Sequence, residues 1–127
     1  MKIQHIAIYV RDLEKSREFY CKYFHGLSGD LYHNTRSGFR SYFLTFEDGA
    51  RLELMNKPGL EDLDEKTNRY GFTHLAFSVG SKEQVDILTK QLIGDGYEWV
   101  SGPRTTGDGY YESCILDPEG NLVEITL

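Results

Sequence analysis

Three absences narrow the field before any motif is read. No stretch of the 127 residues stays apolar for the roughly 20 positions that a membrane-spanning helix needs. No basic stripe runs through the chain. The formal charge is −6 with the acidic residues scattered, which repels a phosphate backbone and argues against a nucleic-acid partner. Cysteine occurs only at Cys21 and Cys114, too sparse for a disulfide framework and suited to a reducing compartment. The opening Met1-Lys2-Ile3-Gln4-His5 leads straight into a strand pattern without the regions of a signal peptide. The expectation is a cytoplasmic protein.

What is present reads as one domain spanning residues 1–127, enough for a real core. Nine tyrosines and seven phenylalanines favour strands and a pocket with aromatic walls.

The chain repeats itself. Ile3–Val10 (IQHIAIYV) resembles Phe72–Val79 (FTHLAFSV), each with a histidine in third place and an alanine two residues later. His5 and His74 are 69 residues apart. Farther on, Gly49-Ala50-Arg51-Leu52-Glu53-Leu54 parallels Gly120-Asn121-Leu122-Val123-Glu124-Ile125, with the glutamates 71 residues apart. Each copy reads strand, helix, then three strands. In the first, a strand near Ile3–Val10 precedes a helix over Leu13–Phe24 with Asp12 as N-cap and an apolar stripe of Leu13, Phe19, Tyr20, Tyr23 and Phe24. Strands follow near Leu27–Tyr32, Phe39–Phe46 and Ala50–Asn56, with Glu47-Asp48-Gly49 as a hairpin turn. In the second, Ser81-Lys82-Glu83-Gln84 opens a helix carrying Val85, Leu88 and Leu92, and Gly94-Asp95-Gly96 ends it. Strands are expected at Tyr97–Val100, Tyr110–Leu116 and Leu122–Leu127, with Asp117-Pro118-Glu119-Gly120 turning between the last two. This is an α+β fold of two βαβββ modules, about 1–56 and 70–127, joined by a polar connector over 57–69. The modules are expected to form an eight-stranded, cup-shaped sheet with the helices outside.

Side chains alternate along a strand, so parity assigns faces. Ile6, Ile8 and Val10 share one face, and His5 points the other way. Glu53 opposes Leu52 and Leu54, His74 opposes Leu75, Phe77 and Val79, and Glu124 opposes Val123, Ile125 and Leu127. Singly, each of the four is an ordinary sheet histidine or surface carboxylate. Together, the same His-then-Glu pair recurs in both copies, and pseudo-twofold packing would bring both pairs to one axis. Two imidazoles and two carboxylates suit a first-row divalent ion and leave coordination positions open.

Over essentially its whole length the chain resembles the vicinal oxygen chelate superfamily, through the paired βαβββ pattern and the Asp-Pro-Glu-Gly-Asn-x-x-Glu ending at Glu124. That resemblance implies a metal held by His5, Glu53, His74 and Glu124. The order His, Glu, His, Glu is similar to glyoxalase I, whereas extradiol dioxygenases and fosfomycin-modifying enzymes usually lack the carboxylate found here at Glu53. Methylmalonyl-CoA epimerases are a nearer rival. The implied reaction is glyoxalase chemistry, turning the hemithioacetal of methylglyoxal and a thiol into a 2-hydroxyacyl thioester through an enediolate. Glu124 is the expected base, with Glu53 as its symmetric counterpart. Nickel, cobalt or zinc, or else manganese or iron, would serve as the ion.

The expected partners are a small-molecule substrate that is a thiol adduct and a second copy of the chain in a homodimer. Among basic and amide residues, Arg104, Asn56 and Arg40 are nominated for substrate, with Arg36 and Lys57 behind them. The Gly-rich run Arg104–Tyr111 reads equally as a flexible flap or as a plain loop between strands. Cys114 carries no accompanying base motif and is not expected to act as a nucleophile. Two alternatives remain open. One is another metal-dependent member of the superfamily: an epimerase, a thiol transferase acting on an epoxide, or a ring-cleaving dioxygenase. The other is a non-enzymatic protein that sequesters a small molecule.

Overall fold

The computed structural model describes residues 3–61, 72–107 and 109–127. Most of the connector therefore lies outside the described residues, as does position 108. The chain divides into two compact units, Met1–Arg69 and Tyr70–Leu127.

In the first unit, β1 (Ile6–Tyr9) leads to α1 (Leu13–Phe24), then β2 (Leu27–Ser28), β3 (Tyr32–Asn34), β4 (Phe39–Thr45) and β5 (Arg51–Asn56). Asp12 caps the helix by accepting a hydrogen bond from the Lys15 N–H at 2.9 Å. The helix ends where His25 turns left-handed at φ 56° and the Gly26 N–H bonds back to the Tyr20 carbonyl at 3.1 Å. Its inner face buries Leu13, Ser16, Phe19, Tyr20, Tyr23 and Phe24. These pack over β4 and β5, whose Leu44, Leu52 and Leu54 are also buried. Each of the leucine and phenylalanine side chains so taken from water stabilises the unit by about 1.5–3 kcal/mol.

In the second unit, β6 (His74–Ser78) leads to α2 (Lys82–Gly94), then β7 (Trp99–Thr105), β8 (Tyr111–Leu116) and β9 (Leu122–Thr126). Ser81 Oγ accepts from the Gln84 N–H at 3.2 Å and caps α2. Val85 and Leu92 bury against Ile115, Val123 and Ile125. Between them lies a polar contact: the Thr89 hydroxyl donates to the Val85 carbonyl at 2.6 Å and meets Ser113 Oγ at 2.5 Å.

The strands divide between two hydrogen-bonded sheets, one per unit, ordered β1-β5-β4-β2 with β3 also on β4, and β6-β9-β8-β7. β1 runs parallel to β5, and β6 parallel to β9. The remaining pairs are antiparallel. Both units are thus βαβββ modules with one strand order, and the fold is α+β as expected. The single strand expected at 27–32 is interrupted: β2 and β3 both pair with β4, and Gly29 bridges the gap by donating to the Phe43 carbonyl at 2.9 Å. β7 runs longer than the expected 97–100 because Gly102 and Pro103 sit in a strand irregularity and do not end the strand. Leu127, expected on the apolar face of β9, lies past the strand's end and is half exposed.

Candidate metal centre

Each unit places its histidine and glutamate by the same device. In the parallel β1–β5 ladder Ala7 lies opposite Glu53, and in the β6–β9 ladder Ala76 lies opposite Glu124. The histidine precedes that alanine by two residues, hence on the same face. The alanine methyl leaves the space through which the ring reaches its carboxylate. His5 Nε2 stands 3.7 Å from Glu53 Oε2, and His74 Nε2 stands 3.7 Å from Glu124 Oε2. The hairpin leading into each glutamate strand also repeats. Gly49 donates to the Phe46 carbonyl and Phe46 to the Ala50 carbonyl; Gly120 donates to the Asp117 carbonyl and Asp117 to the Asn121 carbonyl. The duplication inferred from sequence spacing is therefore a duplication of hydrogen-bond register.

The carboxylates are the sheltered members of the pairs, with side chains 14% exposed at Glu53 and 17% at Glu124, against 38% at His5 and 43% at His74. A separation of 3.7 Å is too long for a hydrogen bond. Two donors bound to one first-row ion at about 2.0–2.2 Å each lie about 3–3.5 Å apart, so either pair closes on an ion with a small side-chain movement. Imidazole nitrogen and carboxylate oxygen are also the donors such an ion takes. The residues fit a divalent metal. Among the described residues these groups gather in twos, within each unit, and not in threes or fours.

Neighbouring strands complete each face. Across β4 from Glu53 stands Phe43, whose ring meets the His5 ring edge-on, 5.3 Å between centroids at 85°. The Arg51 guanidinium carbon lies 4.0 Å from the centre of the same ring. Across β8 from Glu124 stands Cys114. Burial pushes its thiol above the ordinary range, and Glu124 and Glu112 reinforce this against the lowering effect of a Ser101 hydrogen bond.

The nominated substrate contacts fall on different faces. Arg104 pairs with Glu112 in the β7–β8 ladder, on the face that carries Cys114 and Glu124. Two irregularities in β7 put it there: Ser101 and Arg104, three residues apart, both reach this face because an extra residue lies between them. Arg40 and Asn56 do not join the ligands. They lie opposite each other on the face of Leu52 and Leu54, with Arg40 donating to Asn56 Oδ1 at 3.3 Å. The Asn56 amide in turn donates to the carbonyls of Val10 at 2.7 Å and Arg11 at 3.3 Å, so it ties β5 to the turn before α1. The reason is parity, since Asn56 is three residues from Glu53 on one strand. Lys57 lies over the Tyr9 ring at 5.4 Å. Beyond Thr105 the Gly-rich run is a closed hairpin turn, with Thr106 donating from its N–H to the Tyr110 carbonyl at 2.8 Å and accepting on Oγ1 from the Tyr110 N–H at 3.0 Å. Position 108 within it is outside the described residues. Phe43 and Arg51 went unnominated, though counting back from the Glu47-Asp48-Gly49 turn pairs Phe43 with Glu53.

The family model described as the Glyoxalase/Bleomycin resistance protein/Dioxygenase superfamily matches residues 2–125. The chain is 33% identical to the protein YqjT of Bacillus subtilis (strain 168), covering 97% of this chain and 96% of that one. It is 29% identical to the metallothiol transferase FosB of Shouchella clausii (strain KSM-K16), covering 97% and 77% respectively. Among solved structures, a glyoxylase/bleomycin resistance protein/dioxygenase domain from Frankia sp. EAN1pec shares the fold with a TM-score of 0.82 at 22% identity, covering 100% of this chain and 97% of that one. Among the described residues no helix is long and apolar enough to cross a membrane.

Proposed function

The chain belongs to the Glyoxalase/Bleomycin resistance protein/Dioxygenase superfamily, and from that premise we propose that it is a metal-dependent lyase of the glyoxalase type. In this reading it converts the hemithioacetal of a 2-oxoaldehyde and a thiol into a 2-hydroxyacyl thioester. One observation carries the reading: Glu53 stands to His5 as Glu124 stands to His74, in the same register and at the same 3.7 Å. A second carboxylate so placed completes the His, Glu, His, Glu set that distinguishes the glyoxalase I pattern from three-ligand relatives.

His5, Glu53, His74 and Glu124 would hold the ion, within one chain or across a homodimer. A bound divalent ion supplies polarisation of two adjacent substrate oxygens and so acidifies the C–H between them. The proton itself is handled by the chain. The Glu124 carboxylate takes it from one carbon and returns it to the next, while the hydroxyl proton passes from the first oxygen to the second, so that the hydroxyl and carbonyl exchange places with no net proton lost. Glu53 is the counterpart ligand. Arg104, on the Glu124 face, is the cation that would meet an anionic group on the thiol portion.

The test is reconstitution of metal-free protein with nickel, cobalt, zinc, manganese or iron, each form assayed on methylglyoxal hemithioacetals of several thiols. Turnover with at least one combination is expected. No turnover with any of them sinks the reading. One observation favours a second: the 29% identity to a metallothiol transferase over nearly the whole chain. Under that reading the same metal forms would join a thiol to an epoxide-bearing acceptor and leave the hemithioacetals untouched.

A further inference from the structure

The two His–Glu pairs match, but the residues facing their carboxylates do not. Phe43 faces Glu53, and Cys114 faces Glu124. Phe43 is held from two directions, by the edge-on His5 ring and by the Arg51 guanidinium. Contacts of these kinds contribute enough to keep a ring in one position on a sheet face. The matching places in the second unit hold Cys114 and Leu122, which offer neither ring nor charge. The space that a phenyl ring fills beside Glu53 is, beside Glu124, left to a thiol.

We infer that the reacting carbons of the substrate lie over Cys114 on the second unit's sheet face, while Phe43 bars the equivalent place beside Glu53. This rests on the glyoxalase-type reading and breaks the symmetry that the duplication imposes on it. Glu124 moves the proton, and Glu53 serves only as a ligand. Cys114 is the floor of the substrate position and forms no bond to it. Ser101, across β7 from Cys114, and Arg104 line the same face and so fall on the substrate's side.

The test uses Cys114→Phe, and Phe43→Cys placed in a Glu124→Gln background, with metal binding to the metal-free proteins measured by calorimetric titration beside steady-state kinetics. Turnover by the parent is established first, because its absence fails the glyoxalase-type reading and not this assignment. Cys114→Phe is expected to bind cobalt or nickel within about twofold of the parent while kcat/KM falls at least tenfold. Phe43→Cys is expected to raise the kcat of Glu124→Gln at least tenfold by opening the Glu53 side. Unchanged kcat/KM in Cys114→Phe overturns the assignment, as does a Phe43→Cys change that restores nothing. Should Cys114→Phe fail to fold, labelling answers instead: the product thioester is expected to slow alkylation of Cys114 by iodoacetamide and not that of Cys21 on α1. Equal labelling of Cys114 with and without the thioester overturns it.

Discussion

Ala76 stands directly opposite Glu124 in the parallel β6–β9 ladder, and His74, two residues before it, reaches to 3.7 Å from the Glu124 carboxylate. The small side chain is what permits the approach. Ala76→Leu is therefore expected to weaken metal binding at least tenfold in a calorimetric titration. Because Ala76 is exposed in the described structure, the thermal midpoint should move by no more than about 2 °C, since surface substitutions seldom exceed about 0.5 kcal/mol. Ala7→Leu should act likewise through His5 and Glu53.

Gly102 and Gly49 separate two reasons for glycine. Both have positive φ, +77° and +85°. A Cβ on Gly102 would lie 2.4 Å from the Glu112 carbonyl oxygen and 2.8 Å from Ser113 Cα, backbone atoms that cannot step aside, whereas one on Gly49 meets nothing within 4 Å. Gly49→Ala should cost about 1 kcal/mol in urea unfolding from its conformation alone. Gly102→Ala should cost more than about 2 kcal/mol and raise KM, since the strand that delivers Arg104 must shift. Equal losses would show that the close approach of β7 to β8 is not what fixes this residue.

The buried Thr89–Ser113 contact is expected to be non-additive. Thr89→Val alone takes from the buried Ser113 hydroxyl its Thr89 partner and should cost about 1–3 kcal/mol, whereas after Ser113→Ala the Thr89 hydroxyl keeps its bond to the Val85 carbonyl and the loss should be smaller. The double variant should lose clearly less than the two single losses combined. Strict additivity in denaturant titrations would mean that the two hydroxyls do not depend on each other.

On the surface of the first unit, the Tyr42 hydroxyl donates to Glu14 Oε1 at 2.6 Å. That bond lowers the Glu14 carboxyl below the ordinary glutamate range and raises the Tyr42 phenol above the ordinary tyrosine range. The depressed carboxyl contributes stability that is present above the ordinary glutamate range and fades as pH falls through the lower folded value. The raised phenol contributes stability that is present below the ordinary tyrosine range and fades as pH rises through the higher folded value. Tyr42→Phe should thus reduce the melting temperature slightly between those limits, and the two proteins should converge at either end. The groups are exposed, so the gap will be small. A constant gap at all pH values would point to lost packing.

The sequence was most legible where period and spacing carry the information. The offset between His5 and His74, the offset between Glu53 and Glu124, and the alternation around each placed four side chains on the correct faces of the correct strands. It was least legible where the ladder gains residues. Gly102 and Pro103 are residue types that mark a strand irregularity, but nothing in the sequence announces the other one, between Trp99 and Ser101, because its position depends on how β7 meets β8 and not on local preference. Asn56 and Arg40 show what strand parity adds to side-chain chemistry. Their chemistry suggested substrate contacts, yet counting three residues on from Glu53 already sets Asn56 beside Leu54. Cys114 opposite Glu124 followed from the hairpin register alone, once the turn that sets it was known to close at Asp117 and Asn121.

That turn bears on how such chains are to be sorted. Asp117 accepts from the N–H groups of Glu119 at 2.9 Å and Asn121 at 2.8 Å, and from the Asn121 side-chain amide at 3.0 Å. The Asp-Pro-Glu-Gly-Asn signature spends its polar groups on its own loop, as a fastener between two strands. A chain could exchange Glu124 for an apolar residue, lose its ion and keep the fastener whole, because folding alone requires it. Finding the signature in a new protein certifies the architecture. Whether anything is catalysed there has to be asked of the histidines and glutamates one at a time.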